Sequence, residues 1–192
     1  MNSYVEAHPE IHLPPAPAQG AEPRWTSLSW TPFTVRHAPG AGEAANAVAL
    51  AVHRAREVLA RRIGIRMPVR VLVVDGAHDG TRTLQPESTL WMPAEAGPGW
   101  SELARMLDDR LPHRSRLLLR KTMGRAAGPL ELAPVAHTFA IDAYAAALAE
   151  SAGATFPRRW IANAFGAYAR VVTLAEADPD GLAAQAYLAE TV

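Results

Sequence analysis

Two apolar stretches in the last third of the chain each carry one polar residue on a face that otherwise reads as core. In LELAPVAHTFAIDAYAAALAESAG it is His137, and in PRRWIANAFGAY it is Asn163. Imidazole titrates near neutral pH, so His137 is the natural candidate for moving a proton. Asn163, Thr138 and Tyr168 are hydrogen-bonding groups that could orient a substrate or stabilise an oxyanion. These four form the candidate catalytic set. Asp142, Tyr144, Arg159 and Trp160 are the candidates for holding a substrate.

Each has a blander reading. A buried imidazole left unpaired costs about 1–3 kcal/mol, so a core His137 needs a partner. Asp142 lies one turn from Thr138 and is expected to accept a hydrogen bond from it or from a nearby Arg. Tyr144 and Tyr168 either aim their hydroxyls into a cleft or bury their rings in the core. Arg159, with Arg158 before it, would meet an anionic ligand or simply sit in solvent.

The elements that carry these residues are legible from spacing. Pro134 falls at a first helical turn, where its missing N–H costs nothing. His137, Ala140, Ile141, Tyr144, Ala145 and Leu148 then recur as one helical stripe. Ser151, Ala152 and Gly153 end that helix. Pro157 opens a second, on which Trp160 or Ile161, Ala164 or Phe165, Tyr168 and Val171 or Val172 are expected to share a face. Asp178 to Gly181 stops it, and a short helix from Leu182 to about Glu190 follows.

This paired frame resembles the gluzincin branch of zinc metallopeptidases, the peptidase MA-like fold. Active members carry H-E-x-x-H on the first helix, two His ligands and a Glu base. A Glu on the next helix, in a W-L-x-E-G-F-x-x-Y-like setting, is their third ligand. Here the first motif reads His137, Thr138, Phe139, Ala140, Ile141. The second reads Trp160, Ile161, Ala162, Asn163, Ala164, Phe165, Gly166, Ala167, Tyr168. His137 thus stands at the first ligand position. Thr138 replaces the base, Ile141 the second ligand, and Asn163 the ligand carboxylate.

One imidazole and one neutral amide cannot hold a catalytic zinc, which wants three protein donors. The expectation is no metal, no cofactor and no peptidase activity. The resemblance also implies that His137 and Asn163 face each other across the old site, making Asn163 the expected partner of His137.

At 192 residues one domain is the default. The net charge of zero gives no global field toward nucleic acid or membrane, and neither is expected as a partner. No cysteine is present, so disulfides and thiolate metal sites are excluded. With no basic-then-apolar leader and no bilayer-length apolar run, a cytoplasmic location is the expectation. Lys121 is the sole lysine, and Ala is abundant, which fits a GC-rich bacterial genome.

Residues 1–24, with Pro9, Pro14, Pro15, Pro17 and Pro23, read as a flexible arm. The alternative is an arm lying over the domain, anchored by Ile11 and Leu13. Residues 25–192 read as one metallopeptidase-like domain. Trp25 to His37 is a strand or hairpin, with a turn at Pro39, Gly40 and Gly42. Glu43 to Ile63 is a long amphipathic helix ended by Gly64, its face set by Ala47, Leu50, Ala51, Arg54, Val58 and Leu59. Pro68 to Asp75 is a buried strand, and Leu90 to Met92 a short edge strand. Trp100 to Leu111 is a helix with Ser101 as its cap. The basic run Arg110, Arg114, Arg116, Arg120, Lys121, Arg125 is read as a solvated face balanced by Glu102, Asp108 and Asp109. His53 is a helix-face residue, and His37, His78 and His113 are placed in loops. No Gly-rich phosphate loop, internal repeat or Ser-His-Asp signature is evident.

The expected architecture is therefore α+β and zincin-like. A small mixed sheet with an antiparallel edge strand packs on a long helix, and two motif helices follow. The leading functional expectation is a metal-independent enzyme using acid/base chemistry on a small molecule bound between the motif helices. Cyclisation, isomerisation or hydrolysis would suit it, in bacterial secondary metabolism. The alternative is an inactive pseudo-peptidase that binds a ligand or partner, with a homodimer or a larger assembly as further forms.

Overall fold

The computed structural model describes residues 25–66, 69–75, 89–93, 98–123, 128–153 and 158–191. The arm, His78, Arg125 and Pro157 lie outside them. The chain is mixed α+β, with a four-stranded sheet ordered β1-β2-β3-β4.

Thr26–Trp30 (β1) and Phe33–His37 (β2) form the hairpin, closing Trp30 against Phe33 across Thr31 and Pro32. Strict alternation sets its faces: Phe33, Val35 and His37 point inward, Thr34 and Arg36 outward. His37 is thus a buried strand residue, its Nδ1 2.9 Å from the Ala38 carbonyl, and not a loop histidine. Val71–Asp75 (β3) runs parallel to β2, and Thr89–Pro93 (β4) parallel to β3. The antiparallel edge strand is β1, at the hairpin, while the edge at Leu90–Met92 is parallel. Central β3 is nearly continuous in apolar residues because parallel strands are covered on both faces.

Gly42–Ile63 (α1) makes the crossover between β2 and β3. It stops at Gly64, whose φ of 72° permits the left-handed cap and returns its N–H to the Ala60 carbonyl. Its buried residues are Ala45, Val48, Ala49, Ala51, Val52, Ala55, Val58 and Leu59. Of the expected face, Ala51, Val58 and Leu59 are buried, whereas Leu50 is outside and Arg54 reaches Asp178 at 3.1 Å. Small residues (Ala45, Ala49, Ala55) sit inward because α1 touches the sheet and three later helices at once.

Pro98–Arg110 (α2) and His113–Thr122 (α3) follow. Ser101 lies inside the first turn of α2, so it is not the capping residue. The basic run is partly neutralised locally. Asp108 binds Arg120 at 2.9 Å and Arg116 at 3.6 Å, while Glu102 and Asp109 pair with Arg105.

The first motif helix is not continuous. It divides into Ala133–Thr138 (α4) and Ala140–Ser151 (α5) at Phe139. The ladder tightens there: the Phe139 N–H reaches Ala136, and the Asp142 N–H reaches Phe139, each three residues back. The cause is visible in the packing. Leu132 and Val135 belong to an apolar cluster of α2, α3 and the last helix, whereas Ala140, Ile141 and Tyr144 belong to the cluster of sheet and α1. One straight helix would have to feed two cores at different angles. Arg159–Ala177 (α6) packs on α5 and α1, and Pro179–Thr191 (α7) closes against α3, α4 and α6. Asp178 caps α7 by accepting from the Gly181 N–H at 3.0 Å.

Candidate functional site

The α5 and α6 helices touch closely. A Cβ added at Gly166 would lie 3.2 Å from the Asp142 Cβ. Arg170, one turn further along α6, meets Asp142 at 3.4 Å and lies 3.6 Å above the Phe139 ring. Later residues of α6 thus meet earlier residues of α5, so the helices run antiparallel.

That direction locates the two motif residues. His137 precedes Phe139, on the α4 side of the break. Asn163 lies seven residues before Arg170, about 10 Å down the α6 axis. The helices therefore carry His137 and Asn163 to different levels, on opposite sides of the Asp142–Gly166 contact. Asn163 is exposed, and His137 is half-buried with its Nε2 screened from solvent. The expected pairing of these two across one cavity is not the arrangement found.

The Thr138 hydroxyl donates to the Val135 carbonyl at 2.6 Å and accepts from the Gln185 side-chain amide at 2.6 Å. A hydroxyl has one proton, and here it is committed to a carbonyl of its own helix. Thr138 also borders a cavity of about 280 Å³ shared with Lys121, Val135, Asp178, Asp180 and Ala184. That cavity lies among α3, α4 and the α6–α7 junction. A second cavity of about 360 Å³ is lined by Trp100, Ala104, Arg105, Asp108, Leu130 and Glu131. Neither is lined by His137 or Asn163.

Ile141, at the second ligand position, is 1% exposed and part of the main core. Tyr144 is fully buried among the same residues. Asp142 has the Arg partner expected of it, Arg170. Arg159 and Trp160 are exposed, Trp160 at 63%. Tyr168, at 48%, is outside the core. The inner face of α6 is Phe165, Gly166, Ala169, Val172 and Thr173: of the open alternatives Phe165 and Val172 are the inward ones, and Tyr168 is outside.

Two contributors were not singled out in the sequence. Gln185 ties α7 to α4. Arg170 has a deeply placed guanidinium, and burial pushes its pKa down while Asp142 pushes it up. The signal for Arg170 was an arginine four residues after Gly166 on an apolar helix. No comparable signal marked Gln185.

Among the described residues, no three His, Cys, Asp or Glu side chains are grouped to hold a metal ion. The positions that hold zinc in active gluzincins do not suit one here: Ile141 is in the core, and Asn163 is on another level from His137. No family model, no curated protein and no solved structure matches the chain. No described helix is long and apolar enough to cross a membrane.

Proposed function

We propose that the chain is a degenerate relative of the gluzincin peptidases on a zincin-like scaffold, and that it acts by binding a protein partner without turnover. The order of elements supports the relationship: hairpin, long helix ended by Gly64, parallel strand, edge strand, then the motif helices. The observation that carries the binding reading is the employment of Thr138. The residue at the position of the water-activating acid is a structural clip, held by Val135 and holding Gln185. Ile141 is likewise spent on the core.

The metal-free enzyme reading keeps one support, the half-buried imidazole of His137 with its screened Nε2. A chromosomal His137→Ala strain separates the two. Its metabolite profile should match the wild type if the protein binds, and should match a deletion strain if His137 moves protons in a reaction. Melting of the purified variant establishes that it remains folded.

A further inference from the structure

We infer that the outer face of α6 is a docking seam for an α-helical segment of another protein, apolar along one side and acidic at its ends. This rests on the reading of the chain as a binding protein and names the surface and the partner chemistry.

The seam is built from Trp160, Ala164, Tyr168, Val171 and Ala175, all exposed. Trp160, Tyr168 and Val171 are 63%, 48% and 47% exposed. The opposite face of the same helix is already packed against α5 and α1. A helix apolar on both sides is ordinarily buried on both sides. From Ala164 to Ala175 the spacing of four, three and four residues is that of an a/d seam, and Trp160 flanks it one turn earlier. Large and small side chains alternate along it, leaving holes at Ala164 and Ala175 that suit the knobs of a neighbouring helix. From Trp160 to Ala175 the seam is about 22 Å long, four turns, enough for a partner helix of about 15 residues.

Charge chooses the occupant. Arg158 and Arg159 are exposed at the start of the seam, with no ion partner among the described residues. Arg61 and Arg62 lie at its far end, sharing the single carboxylate of Glu176. Both ends are thus cationic. A second copy fits badly. Antiparallel pairing about a two-fold axis sets Arg158 and Arg159 of one copy against Arg61 and Arg62 of the other, four cations that Glu176 does not balance. Parallel pairing sets each pair against itself. Like charges in juxtaposition select against such partners, and acidic ends are selected for. The small-residue holes favour a helix over a lipid surface, which has no knobs to fill them.

The test is selection of displayed helical peptides of about 16 residues on the full-length protein. Their a and d positions are restricted to Leu, Val and Ala, and all others are free. Tyr168→Glu provides the counter-target, and His137→Ala is run in parallel. Enrichment of Tyr168-dependent peptides with acidic ends is expected, each binding about tenfold more tightly than its lysine-ended counterpart. The double variant R158E/R159E should abolish that preference. Retention of binding by His137→Ala is also expected, so that loss of the seam and failure of the non-catalytic reading give different results. Absence of enrichment over Tyr168→Glu would overturn the seam. So would a dimer dissociated by Tyr168→Glu in sedimentation, or Tyr168-dependent binding confined to phosphatidylserine vesicles.

Discussion

The Thr138 hydroxyl accepts a hydrogen bond from the Gln185 amide at 2.6 Å, joining α4 to a helix 47 residues further along the chain. The same hydroxyl donates back to Val135. Thr138 thus serves to fasten α7.

Thr138→Ala removes both bonds and leaves a part-buried amide without its acceptor. It should cost about 1–2 kcal/mol, with Thr138→Ser close to wild type. Urea denaturation measures both. A double-mutant cycle with Gln185→Ala should return a coupling of about 1 kcal/mol. Additive single effects would mean the bond contributes nothing.

Ile141→His places a second imidazole four residues after His137. Because Ile141 is enclosed in the main core, the change should cost about 2–4 kcal/mol. Excess zinc should leave the melting temperature of the variant unchanged. A zinc-dependent rise would mean that the two positions still converge on an ion.

Gly166→Ala brings a methyl group to 3.2 Å from the Asp142 Cβ and 3.4 Å from its Cα. Alanine is the better helix former by about 1 kcal/mol. Helix backbone cannot retreat as a flexible side chain can, so overpacking should win and the variant should lose about 1 kcal/mol net. A more stable variant in thermal melts would show that α5 and α6 are free to separate.

Hydrogen bonds from Arg61 and Arg62, with their charges, hold the Glu176 carboxyl below the usual carboxylate range. A depressed folded pKa contributes stability above the unfolded value that fades as pH falls through the folded one. The stability difference between wild type and Glu176→Gln should therefore be level near neutral pH and shrink below about pH 4.3. The cluster is exposed, so 1 M salt should shrink it as well. A difference that grows on acidification would contradict the assignment.

Much of the fold was legible because it rests on local chemistry. The Gly64 stop, the hairpin between Trp25 and His37, and the buried strand ending at Asp75 each follow from residue type and period. What spacing could not convey was which of two apolar faces would be used. Val171 and Val172 sit side by side on α6, and packing against α5 turned Val172 inward and Val171 outward. The break at Phe139 was also illegible, because Ala, Phe and Ile there are compatible with a continuous helix. It arises from two separate cores, which only the tertiary arrangement defines. For the candidate site, the pairing of Asp142 with an Arg and the burial of Tyr144 were anticipated. The levels of His137 and Asn163 were not, since they depend on how far α6 slides along α5.

The most direct test of the account is the metal content of protein purified without added metal, by elemental analysis. Well under one zinc per chain is predicted, for wild type and His137→Ala alike. One zinc per chain in the wild type, lost on His137→Ala, would contradict it.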